Sequence, residues 1–354
     1  MAGAIGQDPQ TETRVKVAVV QATPAILDAE GSVEKVAAWA AKAAKEGARL
    51  VLFPEAFISA YPRGLSFGTR VGIREDWGRE AFAQYWEGSI KVPSPATERL
   101  GAIAREHGLF LAVGVVERDG DFGGATLYCT LLYFSPQGRL LGKHRKIKPT
   151  AAERLIWGEG DGSTIPVFDT PLGKVGGLIC WENYMPLARS YLYGKGVEIY
   201  LAPTADQREG WQPTIRHIAQ EGRCFVLSCN QFVTGADLPP VWRELPEMAE
   251  MPEIHCRGGS AIVGPLGEYL AGPLWDREGI LLAELPPGEL IKARYDFDPV
   301  GHYARPDIFR LVVDESPKPP QVIVRHEEPQ QTTGAEEAET PSALPHKVPP
   351  PATH

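Results

Sequence analysis

Among the five cysteines of this 354-residue chain, one stands where a nucleophile is held. Cys180 closes the apolar run Val175 to Ile179. Pro186 then opens a helix-like segment, Leu187 to Tyr193, which Gly194 and Gly196 stop. Strand, sharp turn and helix present a side chain at the tip of a sheet. They also set a helix N-terminus and free backbone N–H groups beside the sulfur, which favours a thiolate and a developing oxyanion alike. A thiol is mostly protonated at neutral pH, so such a cysteine needs a base or a cation. Two stretches offer one. Glu55 terminates the apolar strand Arg49 to Pro54, where loops collect reactive groups, although a solvated strand-end charge fits the same spacing. Lys143-His144-Arg145-Lys146-Ile147-Lys148 is the second, with an exposed charged strand as its plain alternative. Lys146 and Lys148 share strand parity, so spacing does not choose between them.

The remaining cysteines do not suggest a metal. Cys224 and Cys229 lie five residues apart in one apolar run, an odd offset that sends them to opposite faces of a strand. With Cys129, in another such run, they are expected to be buried structural thiols. Cys256 follows His255 in a loop-like stretch and has no second ligand pair nearby. No metal and no cofactor are expected. The low cysteine count without a Cys-x-x-Cys pair fits a reduced, cytoplasmic setting.

A net charge of −9 and a pI near 5.5 argue against nucleic acid or an anionic membrane as partner. No apolar run reaches the roughly 18 residues that a membrane span needs. The polar stretch 1–14 lacks the apolar core of a signal peptide and reads as a frayed tail. From about Ser316 to the end, Pro, Glu, Gln and Thr dominate, and a disordered tail is expected, with Val322-Ile323-Val324 its one strand-like patch. Between the tails, 15–315 reads as one large domain.

Several elements must position the reactive residues. Strands are expected at Val15 to Gln21, Arg49 to Glu55, Leu109 to Val116, Leu127 to Phe134, Leu140 to Lys148, Val197 to Ala202, Cys224 to Val233, Ala261 to Val263 and Gly279 to Leu285. Helices are expected from Ser32, as cap, to Glu46, from Ser94 to His107, and near Thr214 to Arg223. Residues 60–92, rich in Gly and aromatics, read as a loop and pocket rim. The pattern is α/β, with mixed sheets packed together and helices outside.

Phe53-Pro54-Glu55, His144-Arg145-Lys146 and Cys180-Trp181-Glu182-Asn183-Tyr184-Met185-Pro186, in that order, resemble the three motifs of the nitrilase branch of the carbon–nitrogen hydrolase superfamily. Gly301 to Asp307 resembles the segment near the end of that family's catalytic domain. The likeness runs from about Val15 to Phe309. It implies a four-layer αββα sandwich and a catalytic triad of Glu55, Lys146 and Cys180, preferring Lys146 to Lys148. It further implies Glu153 as a second glutamate orienting the lysine and substrate, though an acid in a first helical turn would look the same. In the implied reaction Glu55 takes the thiol proton, and Lys146 and the Trp181 N–H stabilise the charge that develops. Trp181, Tyr61, Pro203 and Thr204 are pocket linings by analogy. The implied substrate is a small nitrile, hydrolysed to acid and ammonia without a cofactor. The implied assembly is a homodimer that can extend into larger homo-oligomers or spirals. Other readings are an amidase or carbamoylase, a hydratase that stops at the amide, and a filament-forming scaffold without catalysis. The presence of all three triad residues speaks against the last.

Overall fold

The computed structural model describes residues 14–120, 124–319, 321, 322 and 324. The first strand–helix–strand unit consists of β1 (Val15–Gln21), α1 (Ala29–Lys45) and β2 (Leu50–Leu52), and its two strands pair in parallel. Asp28, rather than Ser32, caps α1, its carboxylate accepting from Gly31 N at 2.8 Å. Ser32 turns inward, where its hydroxyl accepts from Ala25 N at 3.0 Å and donates to Ala25 O at 2.9 Å. The stretch read as a loop over 60–92 contains a hairpin of β3 (Thr69–Arg70) and β4 (Ile73–Arg74), then α2 (Asp76–Glu87) and β5 (Ile90–Lys91). Ala81 and Tyr85 are buried four positions apart on α2, a stripe obscured in sequence by the surrounding glycines and aromatics. Next come α3 (Pro95–His107), β6 (Phe110–Arg118), β7 (Leu127–Phe134) and β8 (Leu140–Arg145).

The second half runs β9 (Val167–Thr170), β10 (Gly173–Gly177), α4 (Pro186–Gly194), β11 (Ile199–Pro203), α5 (Trp211–Gly222), β12 (Phe225–Cys229) and β13 (Phe232–Thr234). It ends with α6 (Pro240–Arg243), β14 (Ile254–Val263), β15 (Tyr269–Trp275), β16 (Gly279–Leu285) and α7 (Gly288–Arg294). The apolar run expected as one strand from Cys224 to Val233 breaks at Asn230-Gln231. Conversely, β14 begins well before Ala261 and takes in Cys256. Its glycine pair Gly258-Gly259, both at positive φ, looks like a loop in sequence but is an irregular stretch of strand with a shifted register.

One sheet has the order β16-β1-β2-β6-β7-β8, with β5 beside β6. The other has the order β13-β14-β12-β11-β10-β9, with β15 beside β14. Period-two alternation sorts each strand's residues into two cores. Val17, Val19, Leu52 and Leu131 meet Leu201, Leu227 and Ile262 between the sheets. Ala18, Val20 and Val51 face outward onto Val36 of α1 and Leu100 of α3. Tyr200 and Val226 likewise pack on Leu192 of α4 and Ile215 of α5. The result is the expected αββα sandwich, each buried Val, Leu or Ile contributing roughly 1.5–3 kcal/mol of transfer free energy.

The chain divides into two units, Met1–Lys318 and Pro319–His354. The first runs past residue 315: Lys318 N donates to Asp161 Oδ2 at 2.6 Å, and Glu315 pairs with Lys195 at 3.3 Å. In the second unit, Val322 and Val324 are exposed and outside any strand. Ile323 and residues 325–354, on which the expected disorder rests, lie outside the described residues, as do 1–13 of the N-terminal stretch. Among the described residues no helix is long and apolar enough to cross a membrane.

Candidate active site

Glu55 sits just beyond β2 on a segment pressed against β6. Gly114 of β6 permits that approach, since a Cβ there would lie 2.1 Å from Pro54 O and 2.8 Å from Ala56 N. Gln231, at the break between β12 and β13, donates from Nε2 to Glu55 O at 2.8 Å. Lys146 follows the last residue of β8, and its N–H donates to Cys129 O at 2.8 Å. Its ammonium donates to Glu55 Oε1 and to Glu153 Oε2, both at 2.7 Å, with all three side chains buried. Lys148 is half exposed and pairs outward with Glu159. Strand parity failed to separate the two lysines because β8 ends at Arg145 and the alternation ends with it.

Glu153 lies in a tight helical turn, Ala151–Leu155. Its Oε2 also accepts from Thr150 N at 2.7 Å, and its Oε1 from the Tyr61 hydroxyl at 2.7 Å. The two carboxylates therefore grip one lysine from both sides.

Cys180 comes from the opposite sheet. Gly177 lets β10 close on β11, for a Cβ there would meet Leu201 O at 2.0 Å. Cys180 itself sits at φ 52°, the first residue of the tight turn Cys180–Tyr184. Buried Asn183 fastens that turn, donating to Leu178 O at 3.0 Å and Cys180 O at 2.8 Å while accepting from Tyr200 Oη at 2.7 Å. Thr204, just past β11, donates to Cys180 Sγ at 3.1 Å.

The electrostatics correct one expectation. Helix α4 starts only at Pro186, and the sulfur stands instead at the start of the short 3-10 helix Cys180–Tyr184. Burial and the Glu55 carboxylate push the Cys180 thiol up to about 12, against the opposing pull of Lys146. The resting thiol is protonated at neutral pH. Burial raises Glu55 as well, with Lys146 opposing and Glu153 reinforcing. For Lys146, burial pulls downward, but Glu55, Cys180 and Glu153 together hold it well above the usual lysine range. The cluster thus keeps a fixed cation beside a carboxylate of enhanced basicity. Glu55 Oε2 is buried and has no hydrogen-bond partner among the described residues, so one acceptor remains unused.

A cavity of about 250 Å³ opens onto this cluster, with Cys180, Glu153, Tyr61 and Trp181 among its walls. Of the four expected linings, Tyr61 and Trp181 face it and Thr204 touches the sulfur. Pro203 does not line it: as the last residue of β11 it pairs with Cys229. Sequence reasoning missed Arg63, Asp206 and Arg208 on the cavity wall. Asp206 accepts from Trp181 Nε1 at 2.9 Å and pairs with Arg208, which lies 4.8 Å over the Trp181 ring. Their position just after β11 was the available signal, because strand ends feed functional loops. No group of three or more His, Cys, Asp or Glu side chains is arranged to hold a metal among the described residues.

Comparison with known proteins shows the family. The family model described as carbon–nitrogen hydrolase matches residues 16–295. The chain belongs to the carbon–nitrogen hydrolase family. Within that family it is 52% identical over 307 residues to an aliphatic nitrilase of Sinorhizobium fredii, covering 86% of this chain and 97% of that one. It is 51% identical over 310 residues to a bifunctional nitrilase/nitrile hydratase of Lupinus angustifolius, covering 86% and 88%. With nitrilase 3 of Arabidopsis thaliana the identity is 49% over 320 residues, covering 89% and 91%. This carbon–nitrogen hydrolase also shares its fold with a nitrilase-superfamily member of Saccharomyces cerevisiae, at a TM-score of 0.65 and 24% identity over 82% of this chain and 96% of that one. An amidase of Nesterenkonia AN1 superposes at a TM-score of 0.60 and 21% identity, covering 83% and 97%.

Proposed function

We propose that this carbon–nitrogen hydrolase is a nitrilase whose nucleophile is Cys180. The observation that carries the reading is the buried Glu55–Lys146–Glu153 chain below a protonated cysteine, in a chain about half identical to proteins named nitrilases. Glu55 Oε2 takes the thiol proton as Sγ attacks the nitrile carbon, and the nitrile nitrogen takes up that proton to give a thioimidate. Lys146 and the Trp181 N–H stabilise charge on nitrogen and, after water adds, on oxygen, each such donor being worth roughly 3 kcal/mol. Cleavage of the C–N bond releases ammonia and leaves a thioester on Cys180. A second water, deprotonated by Glu55, releases the acid and restores the thiol. Glu153 holds Lys146 in register throughout, and Tyr61 and Trp181 shape the substrate cavity.

If the C–S bond of the tetrahedral intermediate breaks first, the product is the amide. The relatives named as both nitrilase and nitrile hydratase favour this as a minor second outcome. A cytoplasmic setting is supported by five free, buried cysteines. Homo-oligomeric assembly is a further proposal, supported by exposed apolar residues such as Tyr295 and Phe309. The test is a panel of aromatic, arylaliphatic and aliphatic nitriles beside their amides, with ammonia quantified and products identified. Acid and ammonia from nitriles, with little amide turnover, is the expected result. Turnover of amides alone would move the protein to the amidase reading.

A further inference from the structure

Glu182 belongs to the motif that carries the nucleophile, yet the chemistry above gives it no role. Its side chain is fully buried and receives three contacts. Oε1 accepts from Ile147 N at 2.5 Å, Oε2 accepts from Ile179 N at 2.7 Å, and Oε2 lies 2.8 Å from His144 Nε2. Ile147 directly follows Lys146, and Ile179 directly precedes Cys180. One carboxylate thus spans the two segments that bear the cation and the nucleophile, and those segments come from different sheets. His144, also fully buried, completes the clamp by placing Nδ1 2.6 Å from Thr164 O. That carbonyl can only accept, so Nδ1 carries a proton. Burial draws the imidazole pKa down, but Glu182 and the Thr164 carbonyl raise it, and the balance lies above the ordinary histidine value. The His144 ring and two backbone amides therefore surround one carboxylate.

We propose that Glu182 and His144 are positioning residues that fix the separation of Lys146 and Cys180, and thereby the fate of the tetrahedral intermediate. The proposal rests on the nitrilase reading. Gln at 182 cannot satisfy both backbone amides, because its NH₂ group must oppose one of them. Either Lys146 or Cys180 then shifts, while the cavity that binds substrate is untouched. A misplaced lysine stabilises departing nitrogen and sulfur unequally, so product partitioning reports its position where simple loss of stability would not.

The experiment compares wild type, Glu182→Gln and His144→Gln on one nitrile, or on its amide if only the amide is turned over. It records kcat, KM, the amide-to-acid ratio and the melting temperature. The expected result is a kcat lower by tenfold or more, KM within threefold, and, on the nitrile, a higher share of amide. His144→Gln keeps the carboxylate on both amides and should give the milder version. Unchanged kcat and product ratio, at whatever melting temperature, would assign the pair to stability and overturn the proposal. So would insolubility of both variants. A wild type that turns over only amide overturns the nitrilase reading instead, and the kcat comparison still decides the positioning role.

Discussion

At the scale of residues, the site solves its charge problem by pairing one lysine with two carboxylates and leaving the thiol neutral. In the proposed mechanism a protonated Cys180 attacks only when Glu55 is ionised, which fixes the sign of the pH dependence. Glu55 is raised by burial, so the fraction able to accept a proton falls with decreasing pH from a point above the ordinary carboxylate pKa of 4.5. The acid limb of kcat/KM should therefore lie above pH 4.5 and be set by Glu55. Glu55→Gln, which keeps the shape and removes the base, should lower kcat by about 10²–10⁴-fold. A pH–rate series on both proteins checks this; an acid limb at or below 4.5, or a Glu55→Gln enzyme within tenfold of wild type, would remove Glu55 as the base. Thr204 and Tyr61 add neutral hydrogen bonds to the sulfur and to Glu153, and these support the cluster without changing its charge.

At the scale of elements, close backbone approaches place these residues as much as the side chains do. Gly114 is the clearest case, because its neighbours at 2.1 and 2.8 Å are main-chain atoms that cannot rotate away. Gly114→Ala should push the Glu55 segment off β6, lowering kcat at least tenfold and destabilising the fold by about 1–3 kcal/mol, as overpacking does. Kinetics with chemical denaturation would test it, and wild-type values for both would show that the segment has room. Much of this level was legible in sequence. The apolar alternation of Val15 to Gln21 and the apolar run before Cys180 gave strands whose ends carry the candidate site, and the resemblance of the three motifs pointed to Glu55, Lys146 and Cys180 as the proposed triad. Other parts were hidden for physical reasons. Spacing alone left Lys146 and Lys148 open, because the end of β8 at Arg145, where the alternation stops, is set by tertiary pairing. Gln231 acts through a contact across the sandwich, to Glu55 O, that no local spacing records. The state of the thiol depended on burial and on two distant carboxylates, whereas the local turn suggested a thiolate.

At the scale of the whole molecule, the proposed acid–base residues follow strands of one sheet and the proposed nucleophile a strand of the other. Glu55 follows β2 and Lys146 follows β8, while Cys180 follows β10 and Thr204 follows β11. The core between the sheets, including Leu52, Leu131 and Leu201, is therefore also the alignment device of the active site. The unit that contains it runs to Lys318, and we propose that residues beyond it are dispensable for folding. Removing 319–354 should leave the melting temperature within about 2 °C, a change of no more than about 1.3 kcal/mol for a unit of this size. Loss of soluble protein on truncation would contradict that boundary.

The central claim is that nitrile hydrolysis proceeds through a covalent bond to Cys180. It is tested most directly by measuring ammonia and acid released from one good nitrile by wild type and by Cys180→Ala under the same conditions. Wild type should release one ammonia for each acid formed, and Cys180→Ala should release neither above the uncatalysed rate. Sustained acid and ammonia production by Cys180→Ala would contradict the mechanism, whatever the fold.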